Sequence, residues 1–287
     1  ENNNIKWIDL VVCNLYPFAE TIKKESVGEQ EIIENIDIGG PSMIRSAAKN
    51  INWVGVVVNP KDYTPLLEEL RQHQGLSIEM RKKLSAKAFA HTAQYDTIIA
   101  NHFSPEKFPE TLSNTFDKLY DLRYGENPHQ QACVYIDKQS NKSNVINAKI
   151  LQGKKLSYNN INDTDGALVT LKEFTKPTCV IVKHANPCGV ATAENITEAY
   201  EQAYAADSLS AFGGIIALNR TCTTQIAEKI TKVFAEIIIA PNYEFEALEI
   251  LSKKKKMRIL QLEDITPLSD KQEYRYIDGG LLVQDLD

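Results

Sequence analysis

The 287-residue chain carries a net charge of −6, with 43% hydrophobic and 24% charged residues, a balance that suits a buried core rather than disorder. The acidic balance argues against general nucleic-acid binding, which wants a basic surface, but leaves local anion sites open. No apolar run approaches the ~20 residues that span a bilayer, and no signal-like segment opens the chain, so neither a membrane nor a nucleic acid is an expected partner. Five cysteines (Cys13, Cys133, Cys179, Cys188 and Cys222) are scattered, odd in number and without C-x-x-C spacing. That pattern fits buried thiols in a reducing cytoplasm, and no metal is expected.

In chain order, a strand over Trp7–Cys13 runs into a turn at Pro17, and a short helix follows over Glu29–Glu34. Gly39 and Gly40 close it, and Pro41 opens a helix over Ser42–Lys49, where a first-turn proline belongs. Trp53–Val58 reads as strand, followed by helices near Tyr63–Gln72 and Ile78–His102. A mixed, Pro-interrupted stretch over Phe108–Lys118 suggests a boundary between domains at 1–117 and 118–287. Beyond it, strands are expected over Ala132–Tyr135, Lys149–Gln152, Cys179–Lys183, Phe212–Leu218, Ile237–Ala240 and Arg258–Leu262. Helices are expected over Asp165–Phe174, Ile196–Ala206, Thr224–Phe234 and Tyr243–Lys254. This alternation implies an α/β fold with a parallel sheet covered on both faces. The lysine run Lys253–Lys256 reads most simply as a solvated helix C-terminus.

The stretch Cys179–Val190 is the most informative. Its β-branched run ends on Lys183, His184 and Asn186, and Pro187 and Gly189 are expected to force a turn. Ligands in open α/β sheets sit outside the carboxyl ends of strands. A cation beside a histidine there can stabilise an oxyanion and accept a proton, although the same residues suit a histidine merely hydrogen-bonded at a strand end. Successive strand side chains point to opposite faces, so Lys183 and His184 serve one site only if the strand ends or bulges there.

Lys183–Gly189 resembles a segment of the bifunctional purine-biosynthesis family that joins AICAR transformylase to IMP cyclohydrolase. Six further blocks match that family in its order: Cys13–Phe18, Asn35–Pro41, Arg45–Asn50, Leu122–Gln130, Leu156–Asp165 and Ser210–Ala217. The resemblance implies the last two steps of inosinate synthesis. A formyl group passes from the cosubstrate 10-formyltetrahydrofolate to AICAR, and the product FAICAR then closes to IMP with loss of water. It also implies the C-terminal part of a methylglyoxal-synthase-like parallel-sheet domain, followed by a cytidine-deaminase-like α/β unit of the transformylase. The expected assembly is a cytoplasmic homodimer. By position, His184 would be the base, Lys183 the oxyanion stabiliser and Lys49 the proton-transfer lysine. Arg123, Tyr124, Gly213 and Glu236 would bind the transformylase substrate. Cys13, Asn14, Tyr16, Asp37, Ile38 and Gly39 would line the inosinate site, with Asp37–Pro41 either a phosphate-holding turn or a simple tight one.

The chain reads as an internal piece, lacking an N-terminal part of one domain and the second half of the other, and so is expected to be nearly inactive alone. Two alternatives stay open: a non-catalytic nucleotide-binding or dimerisation remnant, and a zinc deaminase, faintly echoed by His184-x-Asn186-Pro187-Cys188.

Overall fold

The computed structural model describes residues 6–137, 143–265 and 272–286. The chain divides into two compact units, Glu1–Thr115 and Phe116–Asp287.

In the first unit, β1 (Leu10–Val12) is followed by α1 (Phe18–Thr21), α2 (Glu29–Glu34), α3 (Gly39–Lys49), β2 (Gly55–Val57), α4 (Tyr63–His73) and α5 (Ile78–Phe103). β1 and β2 pair in parallel, with Val11 opposite Val56. Both strands are shorter than the sequence suggests; Trp7, Ile8 and Trp53 fall outside them and are exposed. Gly39 and Gly40 lie inside the first turn of α3 rather than ahead of it, so the helix begins before Pro41. Ser77 caps α5 by accepting from the Met80 N–H, which fixes where this long helix starts. Ile44, Ala48, Val56 and Ala88 form the core between α3, β2 and α5.

The second unit contains the hairpin of β3 (Asp117–Leu122) and β4 (Ala132–Ile136), then β5 (Lys149–Gln152), α6 (Tyr158–Lys172), β6 (Thr178–Lys183) and β7 (Asn186–Thr192). It continues through α7 (Ile196–Ala206), β8 (Gly214–Leu218), α8 (Thr224–Ile230), β9 (Ala235–Ala240), α9 (Phe245–Ser252) and β10 (Arg258–Gln261). The hairpin of β11 (Gln272–Ile277) and β12 (Gly280–Asp285) follows. Among the described residues the main sheet has the order β5-β10-β9-β8-β6-β7. Only β8, β9 and β10 run parallel; β6 is antiparallel to both neighbours, and β5 is antiparallel to β10. The sheet is therefore mixed, because β6 returns directly into β7 through a hairpin instead of crossing over.

Side chains alternate across this sheet with the two-residue period of a strand. Cys179, Ile181, Ile216, Leu218, Ile238 and Ile259 face α7, α8 and α9, packing on Ala199, Tyr200, Ile226, Ile230, Ala247 and Leu251. Val180, Val182, Ile215, Ala217, Ile237, Ile239 and Leu260 face α6, packing on Ala167, Leu168 and Leu171. Burial on both faces makes β6, β8 and β9 near-continuous apolar runs, as the sequence indicates.

Candidate functional site

Lys183 closes β6 and pairs directly with Asn186, which opens β7, so His184 and Ala185 form a two-residue turn. Both have positive φ, 92° and 61°. Two-residue hairpins take this conformation most cheaply with Asn and Gly; here two other residues occupy it, and neighbours must hold them there. Asp163 on α6 lies near the Ala185 N–H, which favours its charged form. Asn186 Nδ2 donates to the His184 carbonyl at 3.0 Å. Gly166, one turn beyond Asp163, leaves room for the turn, since a Cβ there would sit 3.1 Å from the Ala185 oxygen.

The expected turn at Pro187 and Gly189 is displaced, for both residues lie inside β7. Gly189 serves packing: a Cβ on it would come within 2.0 Å of the Ala203 carbonyl of α7. Because the strand ends at Lys183 and β6–β7 register shifts between Ile181 and Val182, strict alternation does not force Lys183 and His184 apart.

Lys183 Nζ donates to the Gly213 carbonyl at 3.0 Å. Gly213 has φ +70°, and a Cβ on it would meet Lys183 Nζ and Phe234 Cε1 at 3.2 Å, so glycine is needed for both conformation and space. Glu236, near the start of β9, accepts from Asn160 Nδ2 at 2.9 Å and from Arg258 Nη1 at 3.3 Å. Burial raises the Asp163 carboxyl above the usual carboxylate range. The Ala185 N–H and the charges of His184 and Lys183 oppose that rise, and the Glu236 charge adds to it. Lys183, His184, Asp163 and Glu236 thus form one electrostatic group.

This group sits at one edge of the sheet. It is the carboxyl end for β6, as expected, but the amino end for β8, β9 and β10, where Gly213, Glu236 and Arg258 stand. Sequence reasoning assigned no role to Asp163, Asn160 or Arg258. The first two belong to the Leu156–Asp165 block, and the spacing Ser157…Asn160, a capping box in the structure, was the available signal for where α6 begins.

Arg123 and Tyr124 lie together just beyond β3, the guanidinium carbon 5.8 Å from the ring centroid. They line a cleft of about 440 Å³ with Tyr120, Lys154, Lys155 and Arg258. Arg258 Nε is buried without a hydrogen-bond partner. Four cations around one cleft suit a phosphate, and Arg258 connects the cleft to Glu236.

In the first unit, Asp37 organises the predicted cluster. Its carboxylate accepts from the Gly40 N–H at 2.7 Å and the Tyr16 N–H at 3.3 Å, tying the loop after β1 to the start of α3. Its own N–H donates to the Tyr95 hydroxyl at 2.8 Å. The Cys13 thiol is pushed up by burial and by the Asp37 charge. Asn14 continues the same loop, and Ile38 and Gly39 follow Asp37 into the helix, Ile38 largely exposed. One N–H of the helix start is thus engaged by the chain's own carboxylate. Lys49 stands apart: ten residues along α3 from Gly39 amount to about 15 Å of rise. The structure does not bring Lys49 to the Asp37 cluster.

The zinc reading finds no ligand set, since among the described residues no three His, Cys, Asp or Glu side chains are placed to hold a metal. Cys188 instead donates its thiol to the Ile181 carbonyl within the sheet. No described helix is long and apolar enough to cross a membrane.

Residues 47–287 match the family model described as the AICARFT/IMPCHase bienzyme. The bifunctional purine biosynthesis protein PurH of Acetivibrio thermocellus is 54% identical over 288 residues, covering 98% of this chain and 56% of that relative. PurH of Thermoanaerobacter sp. is 50% identical over 100% of this chain, and PurH of Bacillus subtilis 49% identical over 99%; each is covered to 56% of its own length. The chain thus spans about half the length of the curated relatives it matches. With 241 of its residues inside the family match (47 through 287), this chain belongs to the AICARFT/IMPCHase bienzyme family.

Proposed function

We propose that the second unit holds the amine-activating part of an AICAR transformylase site and the first unit part of an IMP cyclohydrolase site. The observation that carries this reading is the convergence of Lys183, His184, Gly213 and Glu236 at one sheet edge, joined through Arg258 to the cation-lined cleft of Arg123 and Tyr124. The exocyclic amine of AICAR is a weak nucleophile, because its lone pair is delocalised into the ring. As its nitrogen attacks the formyl carbon of 10-formyltetrahydrofolate, His184 accepts the amine proton and Lys183 stabilises the oxygen that gains charge. Collapse of the tetrahedral species breaks the bond to the folate nitrogen, which leaves with a proton. The Arg123 cleft holds the nucleotide phosphate meanwhile. In the first unit, the Asp37 cluster would hold FAICAR while its amide nitrogen attacks the formyl carbon and water departs. Lys49 retains its proton-transfer role only by resemblance.

On this reading the two units are a methylglyoxal-synthase-like part and a deaminase-like part, the parent assembly is a cytoplasmic homodimer, and no resident metal takes part. The test is a chimera in which this chain replaces the matching segment of the Acetivibrio thermocellus relative. It should transfer formyl groups to AICAR, and His184→Ala or Lys183→Ala should lower kcat by at least about 100-fold. Activity unchanged by both substitutions would overturn the assignment.

A further inference from the structure

Arg258 opens β10, and the end of β5 sets its course. Gln152 Nε2 donates to the Lys254 and Met257 carbonyls at 3.1 and 3.2 Å, which fixes the chain just ahead of Arg258. Gly153, with φ +102°, then leaves a lane for the arginine stem. A Cβ there would come within 2.8 Å of Arg258 Cγ and 3.1 Å of its Cα. Along that lane the side chain, 17% exposed, reaches Glu236 on the neighbouring strand β9.

A second local device meets the same carboxylate. Asn160 is fixed in the first turn of α6 by the capping box, its Oδ1 accepting from the Ser157 N–H at 3.1 Å. Its Nδ2 and Arg258 Nη1 both donate to one oxygen of Glu236, Oε1. Among the described residues no group engages the other oxygen, and the Glu236 side chain is 40% exposed, so Oε2 is open to a ligand. Stability does not account for Arg258. A partly exposed ion pair adds little, and burying Nε without a partner costs some of that gain. Holding does account for it: a glutamate fixed from two sides has already given up the rotamer freedom that a free one would lose on meeting a ligand.

We propose that Arg258 is a positioning residue for formyl transfer, holding Oε1 of Glu236 so that Oε2 is set to accept a hydrogen bond from the nucleotide. The proposal rests on the transformylase reading for the identity of that nucleotide, AICAR. Arg258 acts through Glu236 and has no part in moving the proton or the formyl group. Glu236 grips the nucleotide before and during the reaction alike, so loss of Arg258 weakens binding and leaves turnover unchanged.

The test titrates AICAR into the 287-residue chain by calorimetry and follows turnover in the chimera described above, with urea unfolding of every variant. Arg258→Met should weaken AICAR binding about tenfold and raise KM by a similar factor, with kcat within about twofold. Arg258→Lys keeps the charge without the fork and should lose only about threefold. Arg71→Met, the same change in charge at an exposed position of the first unit, should cost less than about twofold. In a Glu236→Ala background Arg258→Met should cost less than about twofold more, because the residue it acts through is gone. The full tenfold loss in that background overturns the proposal and makes Arg258 a direct contact to the nucleotide. A fall in kcat at unchanged KM overturns it as well. Should Arg258→Met fail to fold, Arg258→Gln carries the same cycle. AICAR binding lost in Arg123→Ala but kept in Arg258→Met sinks this proposal alone, whereas binding indifferent to both substitutions sinks the transformylase reading and the proposal with it.

Discussion

In the second unit the candidate residues stand at the edge of a six-stranded sheet buried on both faces, whereas in the first they hang from a pair of three-residue strands and one carboxylate. Ile181, Val182, Ile237 and Ile238 are completely buried beside the Lys183 edge; Val12 and Tyr16, beside the Asp37 cluster, are about half exposed. A geometry anchored in a packed core resists local opening, while one held by a few partly exposed hydrogen bonds opens readily. The His184–Ala185 turn can therefore keep an unfavourable backbone because α6 and the sheet over-determine it, whereas the Asp37 loop depends on two side chains, the Asp37 carboxylate and the Tyr95 hydroxyl.

The largest effect should come from breaking the packed region. Gly189→Ala would drive a Cβ into the Ala203 backbone, where no flexible side chain can give way. Overpacking of this kind should cost about 3 kcal/mol in denaturant unfolding and speed hydrogen exchange along β7 and α7. Next, Asp37→Ala removes both ties of the first-unit loop and should cost about 2 kcal/mol, with faster exchange at the Tyr16 and Gly40 amides and no change around β6. Should that substitution leave both amides protected, the loop is held by something other than the carboxylate.

A finer test concerns the carboxylate behind the turn. Asp163 is raised in the folded state, so the native chain holds its proton more tightly than the unfolded chain does. Its contribution to stability is therefore fully present below the ordinary aspartate value and lost as pH rises through the raised one. Asp163→Asn keeps an acceptor oxygen near the Ala185 N–H but cannot ionise. The stability of this variant relative to the native chain should grow as pH climbs through that window, measured by urea unfolding at successive pH values. A difference that is flat with pH would remove Asp163 from the electrostatic group. The smallest effect is expected at Lys49, exposed at the far end of α3. Lys49→Met should change stability by less than about 0.5 kcal/mol and leave Tyr16 and Gly40 exchange unaltered.

The sequence revealed elements wherever local pattern and tertiary packing agree. The helices Glu29–Glu34 and Ile196–Ala206 and the strand Lys149–Gln152 have the bounds their patterns indicate. It misled where tertiary context overrides propensity. Pro187 and Gly189 speak locally for a turn, yet pairing with β6 and close packing on Ala203 draw them into a strand. The true turn falls on His184 and Ala185, and nothing in either side chain announces positive φ. α6 begins at Tyr158 rather than Asp165 because the Ser157–Asn160 capping box overcomes a run of poor helix formers. β11 was not anticipated, since its polar, exposed residues alternate without a buried face. Of the candidate site, the position of Lys183 and His184 at a strand end was legible. Asp163 and Arg258 were not, because their partners are distant in sequence.

The most direct measurement is a map of AICAR on the chain by 1H–15N NMR. Saturating AICAR should shift the amides of Arg123, Tyr124, Lys183, His184, Gly213 and Glu236 together, with one common affinity, and Arg123→Ala should weaken that affinity at least about tenfold. Shifts confined to other residues, or an affinity indifferent to Arg123, would contradict the placement of the transformylase site at this sheet edge.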